Sequence, residues 1–201
     1  MREWVFRWRG YVLVPTAALV VLVCRPTPGS FALGLAIAVF GEMLRMWGVG
    51  YSGTTTRERQ VVAPQLVTAG PYAYVRNPLY LGNFITATGF LVVGSGDLSW
   101  VTRLALTLLM VLSYTTVYGL IIPLEEEYLG RTFGQVYFDY QRAVPRLIPR
   151  FSPYARRRGF FDWRVIKTAE IHTLILFLVM VSLMAARLLM ELRVWELILR
   201  G

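Results

Sequence analysis

The sequence holds little charge, one cysteine, one histidine and one lysine, and each scarcity excludes something. Only 16% of its 201 residues are charged and 56% are hydrophobic, whereas an average soluble domain carries about 25% charged residues. With a mean hydropathy of +0.51, an ordinary water-soluble protein is excluded. Cys24 alone cannot form an intrachain disulfide. His172 alone rules out a Cys/His metal site of the zinc-finger kind and leaves a serine-type triad one possible base, so no metal site is expected. Lysine is reduced to Lys167, so arginine supplies 20 of the 21 cations behind a formal charge of +9. A nucleic-acid binder shares that balance but not the long apolar runs, and no nucleic-acid partner is expected. The length suits a single membrane domain over residues 1–201.

Apolar runs long enough to approach a hydrocarbon core of about 30 Å predict an all-α integral membrane bundle of about five helices. They cover Tyr11 to Cys24, Phe31 to Tyr51 with Glu42 and Arg45 inside it, Leu79 to Val93, Trp100 to Ile122 stopped by Pro123, and Ile171 to about Leu189. The first run follows Arg2, Arg7 and Arg9 but has no small-residue cleavage signature, so it reads as a retained anchor. The last, an additional apolar helix over 171–190, reads equally as a full span or as a re-entrant or interfacial helix. Arginine-rich short loops stay cytoplasmic. The N-terminus, the loop with Arg57, Arg59 and Arg76, and the stretch from Pro123 to Ala169 are therefore expected on that side, in a prokaryotic inner membrane. Arg193 and Arg200 fit this orientation less well if the last helix spans fully.

Two loops on that side carry unusual residues. The first, Pro64 to Gly82, holds Pro71, Pro78, Gly70 and Gly82. Asn77 before Pro78 is pushed away from helical backbone angles, which predicts a helix starting at Pro78 with Asn77 near its cap. Amides at such a start suit an anionic or strongly polar ligand. In the second loop, Glu125, Leu129, Phe133, Tyr137 and Tyr140 recur at helical spacing, which predicts an amphipathic interfacial helix. Glu127 and Arg131 read as a solvated i,i+4 pair, whereas Glu125 and Glu126 lie on or beside the apolar stripe and need partners. Arg156, Arg157 and Arg158 read as a contact to anionic lipid. Glu42 and Arg45 read either as an intramembrane ion pair or as part of a site. Gly48-Val49-Gly50-Tyr51-Ser52-Gly53 spells a dinucleotide fingerprint without its strand–helix context, and is set aside.

Taken together, Gln65-Leu66-Val67-Thr68-Ala69-Gly70-Pro71-Tyr72, Arg76-Asn77-Pro78-Leu79-Tyr80-Leu81-Gly82, and Glu125-Glu126 followed by Leu129, Phe133, Gly134, Tyr137, Tyr140, Val144 and Pro145 form a pattern. It resembles the isoprenylcysteine carboxyl methyltransferase family and the wider group of membrane methyltransferases that includes phospholipid N-methyltransferases. The resemblance covers residues 65–149; Arg45-Met46-Trp47 also looks like a family element, and the segment from Ile171 onward lies outside it. It implies an S-adenosylmethionine site between the two loops and a lipophilic substrate entering from the bilayer. By that carry-over Gln65, Leu66, Val67, Gly70 and Tyr72 hold the adenosine part. Arg76, Asn77, Tyr80 and Gly82 close around the methionine part, and Glu125 and Glu126 complete the pocket. The family's usual histidines are Gln65 and Asn77 here, a change that keeps hydrogen bonding and loses a titratable ring.

Methyl transfer from a sulfonium is an in-line displacement that needs alignment and a dry pocket. A carboxylate acceptor, as in an isoprenylcysteine, is already the nucleophile and needs an arginine to orient it, for which Arg146, Arg76 and Arg45 are the candidates. An amine acceptor, as in a phospholipid head group, needs a base, for which Glu125 and Glu126 are the candidates. The carboxylate is the favoured acceptor. An NADPH-dependent enzyme like the membrane sterol reductases and a non-catalytic membrane factor are the alternatives. The oligomeric state is not legible.

Overall fold

The computed structural model describes residues 13–53 and 65–200, with the backbone alone described at Ala169 and over 194–200. Arg2, Arg7, Arg9, Tyr11, Arg57, Arg59 and Pro64 lie outside the described residues. Among the described residues the chain is helical without a strand, running α1 (Val14–Val23), α2 (Pro28–Ser52), α3 (Pro78–Gly94), α4 (Trp100–Phe133), α5 (Gln135–Ala143), α6 (Trp163–Ala169) and α7 (Ile171–Arg200), with a 3-10 turn over Gly70–Ala73. Local chemistry sets the starts. Thr27 and Ser30 cap each other's backbone ahead of Pro28 in the first turn of α2, and α3 begins at Pro78 with Asn77 in the cap position, as the Asn-Pro pair predicts.

Among the described residues three helices are long and apolar enough to cross a membrane: α2, α4, and α7 over Ile171–Arg193. The other two expected spans, α1 with 10 residues and α3 with 17, are shorter apolar helices. Two expectations need correction. Pro123 does not stop the fourth span; α4 continues through it to Phe133. A proline removes one backbone hydrogen bond and crowds the preceding turn, but here the helix is anchored on both sides, by buried Ile121 and Ile122 before it and buried Glu126 after it. Nor does a single interfacial helix cover Glu125 to Tyr140. Gly134, at φ 54°, turns the chain between α4 and α5. The stripe survives as a corner, with Leu129 and Phe133 from α4 packing on the Tyr137, Tyr140, Val144 and Leu66 cluster.

The tightest seam in the bundle joins α2 to α3. Gly34, Gly41 and Gly48 recur every seventh residue on α2 and face Gly89, Gly82 and the start of α3. A Cβ on Gly34 would sit 2.4 Å from the Val93 nitrogen, one on Gly41 2.5 Å from the Thr86 nitrogen, and one on Gly89 2.4 Å from the Ala38 nitrogen. Backbone thus meets backbone, the arrangement that gains dispersion contact where lipid offers no hydrophobic driving force. The main core extends from this seam through Val20 of α1 and Cys24 just after it, Ala38, Phe90 and Val93, to Leu106 and Met110 of α4 and Met184 of α7. Helix α7 runs the length of the bundle, since Glu170 just before it bonds Arg45 on α2 while Arg187 donates to the Leu22 carbonyl at the far end of α1. This favours the full-span reading of the last segment over the re-entrant one.

The seam sets a first prediction. Gly89→Ala drives a methyl into the α2 backbone and should lower stability by about 1–3 kcal/mol. Gly119→Ala, which meets nothing within 4 Å, should be neutral or slightly stabilising. Thermal unfolding of the detergent-purified variants checks the contrast.

Candidate active site

At one end of the bundle the two motif loops meet on a single carboxylate. Glu126 is buried on α4, three residues past Pro123. Arg76 donates from Nη1 to its Oε1 at 2.8 Å; Arg146 donates from Nε to the same oxygen at 3.1 Å and from Nη2 to Oε2. The backbone holds these groups in register, because the Arg76 amide donates to the Pro145 carbonyl and Asn77 Nδ2 to the Arg146 carbonyl. Asn77 therefore ties the loops together and does not cap α3 with its side chain. Beside this node Tyr80 donates its hydroxyl to Glu125 at 2.6 Å.

The first loop is strapped from below by the segment that follows α5. Running antiparallel to it, Arg150 and Tyr154 donate their amides to the Tyr74 and Ala73 carbonyls, and Thr68 and Ala69 donate theirs to the Arg158 carbonyl. Thr68 Oγ1 donates to the Arg156 carbonyl and accepts from the Arg158 amide. Tyr140 donates its hydroxyl to the Tyr72 carbonyl at 2.7 Å. Burial raises the Tyr72 and Tyr140 hydroxyls above the ordinary tyrosine range. It pushes Tyr137 up to about 12, with the Glu126 charge adding to the effect and Arg76 opposing it. These phenols stay protonated at neutral pH, and Tyr140 acts as a hydrogen-bond donor within the wall.

The residues singled out by sequence divide by what surrounds them. Arg76, Asn77, Tyr80, Glu125, Glu126 and Arg146 converge on the node. Leu66 is in the apolar cluster with Tyr137 and Tyr140, Val67 lies against Gly159, and Gln65 is exposed. Packing alone accounts for two glycines. Gly70, at φ 60°, has the Tyr51 ring where a Cβ would sit, and Gly82 faces the Gly41 carbonyl and Arg45. The Glu127–Arg131 pair is exposed, as its spacing suggests. Arg45 forms the intramembrane pair with Glu42, Nε to Oε2 at 3.0 Å and Nη2 to Oε1 at 2.8 Å.

Three features escaped the sequence reading. Glu170, fully buried, is a second carboxylate on Arg45; a lone acid before an apolar run signals a hidden partner. Thr68 and the strap are long-range pairings with no local signature. Finally, Arg76 Nε is buried and has no hydrogen-bond partner among the described residues. A charged donor left unsatisfied is costly, and an acceptor such as a ligand carboxylate would satisfy it.

Removing the shared carboxylate should separate buried from solvated charge. Glu126→Gln leaves two arginines facing each other and should lower stability by about 3 kcal/mol. Glu127→Gln should change it by less than about 0.5 kcal/mol. Thermal denaturation of the pair measures the difference.

Comparison with known proteins bears on what this geometry serves. The phospholipid methyltransferase family pattern matches residues 30–136, just over half of the chain. The cobalt-zinc-cadmium resistance protein CzcN of Cupriavidus metallidurans is 33% identical over 134 residues, 66% of this chain and 52% of that protein. The methanethiol S-methyltransferase of Crocosphaera subtropica is 32% identical over 125 residues, covering 59% of this chain and 44% of that protein. The protein-S-isoprenylcysteine O-methyltransferase of Schizosaccharomyces pombe is 40% identical over 84 residues, 42% of this chain and 33% of that protein. The chain thus spans about half the length or less of these relatives. No solved structure matches it. The matched region contains α2 from Ser30 onward, all of α3 and α4, and both Glu125 and Glu126, and by that match the chain belongs to the phospholipid methyltransferase family.

Proposed function

We propose that the protein is an integral-membrane methyltransferase that moves a methyl group from S-adenosylmethionine to a lipophilic acceptor reached from the bilayer. The observation that carries this reading is the orphaned, buried Nε of Arg76 next to the Glu126 node. The donor set fits the cofactor's amino-acid end, which offers a carboxylate for Arg76 and an ammonium group for Glu125, with Asn77, Tyr80 and Gly82 around it. Leu66, Val67, Gly70, Tyr72 and Gln65 would line the adenosine side. Bound there, the cofactor supplies an electrophilic methyl on a sulfonium, so the protein need only align an acceptor and exclude water. Glu126 holds Arg76 in place, and the protonated Tyr72, Tyr137 and Tyr140 keep the wall dry. The basic loops support a multi-pass protein in a prokaryotic inner membrane with this face toward the cytoplasm.

The first acceptor reading is the carboxylate of an isoprenylcysteine-type substrate, which the names of several relatives support. Arg146, half-exposed at the edge of the node, would orient it. One observation favours a second reading, a thiol or an amine. Arg76 and Arg146 already serve Glu126, and Arg45 serves Glu42 and Glu170, so a carboxylate acceptor would have to share a guanidinium with an acid of the protein. For an amine, Glu125 or Glu126 would have to serve as the base.

Calorimetry with S-adenosylhomocysteine on detergent-purified protein, with NADPH as comparator, tests the cofactor. Arg76→Lys keeps the charge facing Glu126 but removes Nε. Its affinity should fall about ten- to a hundredfold, the loss of one charge-assisted hydrogen bond. NADPH binding without S-adenosylhomocysteine binding contradicts the methyltransferase reading; an unchanged Arg76→Lys contradicts the residue assignment. Methyl incorporation into a farnesylated cysteine, a long-chain thiol and phosphatidylethanolamine then separates the acceptors.

A further inference from the structure

The strap between α5 and α6 sorts its side chains in a way that folding alone does not require. Its inward aromatics are packed, with Tyr154 edge-on to Tyr140 at 5.4 Å and Phe161 edge-on to Tyr51 at 5.5 Å. Its outward apolar residues touch little of the protein. Ile148 is 81% exposed, Phe151 106% and Phe160 90%, and Trp163, which opens α6, is 70% exposed with its ring edge-on to Phe161. Between the two exposed phenylalanines lies Arg156-Arg157-Arg158, all exposed, of which, among the described residues, only Arg156 leans on a carboxylate, Asp139 at 3.6 Å.

The fold fixes the level of this surface. The strap is bonded to the last turn of α2, where the Asp162 amide donates to the Gly50 carbonyl, and to the residue two before α3, where Arg76 donates to the Pro145 carbonyl. Both points are ends of apolar helices, where the chain leaves hydrocarbon. Exposed aromatics at that depth belong among headgroups and upper acyl chains, and arginines beside them belong on lipid phosphates.

We propose that the segment from Ile148 to Trp163 is a membrane-docking strap, with Phe151 and Phe160 inserted into the leaflet and Arg156, Arg157 and Arg158 binding the headgroups of anionic phospholipids. The occupant is the bilayer that already holds α2, α4 and α7. Charge complementarity and continuity with those helices select it over a soluble acidic partner. The site does not depend on the methyltransferase reading.

The test uses the full chain in nanodiscs. Phe160→Cys and, separately, Phe151→Cys, each on a Cys24→Ala background, carry an environment-sensitive fluorophore. Discs are made of phosphatidylcholine alone or mixed equally with phosphatidylglycerol. Quenching by lipid-borne nitroxide should rise about threefold on adding phosphatidylglycerol, with a blue shift. Converting Arg156, Arg157 and Arg158 to Gln, all at exposed positions, should remove that rise and leave melting unchanged. A probe that stays open to aqueous acrylamide in both lipids overturns the proposal and leaves the surface to a soluble acidic partner. Nitroxide quenching indifferent to phosphatidylglycerol and to the arginines overturns the anionic-lipid part.

Discussion

The carboxylate of Glu126 is the constraint on which the functional end of the molecule depends. Two arginines from distant parts of the chain converge on it, one from the loop before α3 and one from the strap after α5. A buried charge without partners is not tolerated in a low-dielectric setting, so placing Glu126 on the inner face of α4 dictates where both loops must go. The backbone pairing of Arg76 with Pro145 and of Asn77 with Arg146 follows from the same convergence. What results is a wall of phenols and guanidinium groups in which one donor, Arg76 Nε, lacks an acceptor among the described residues.

A second ion cluster obeys the same rule deeper in the bundle. Arg45 is neutralised within its own helix by Glu42 and again by Glu170. The α2–α3 seam makes this possible, because backbone-to-backbone approach at Gly41 and Gly82 brings α3 against Arg45 itself. Glu170 in turn positions the start of α7, which Arg187, farther along the helix, ties to the Leu22 carbonyl near the end of α1. Polar groups thus register helices that have little apolar driving force to associate in lipid.

Much of this was legible where the signal is local. Asn77-Pro78 fixed the start of α3, and the spacing of Glu127 and Arg131 marked a surface pair. The residues of the node were all named from the two motifs, but not their mutual partnership, since 50 residues separate Arg76 from Glu126 and 20 separate Glu126 from Arg146. Pro123 misled because a local rule was overridden by anchors on both sides of it. Gly134 held the signal for the turn after α4, a glycine inside a helical pattern, yet periodicity across it suggested one helix. Glu170 and the strap were invisible because their partners lie 125 residues away and across non-helical backbone.

The two loops and the strap form one hydrogen-bonded unit, and hydrogen exchange on the reconstituted full chain tests most directly the proposal that this unit binds the cofactor. With S-adenosylhomocysteine added, amides from Leu66 to Asn77 and from Val144 to Arg158 should gain protection together while those of Ile171 to Arg193 stay unchanged. Protection centred on α7, or absent from both loops, would contradict it.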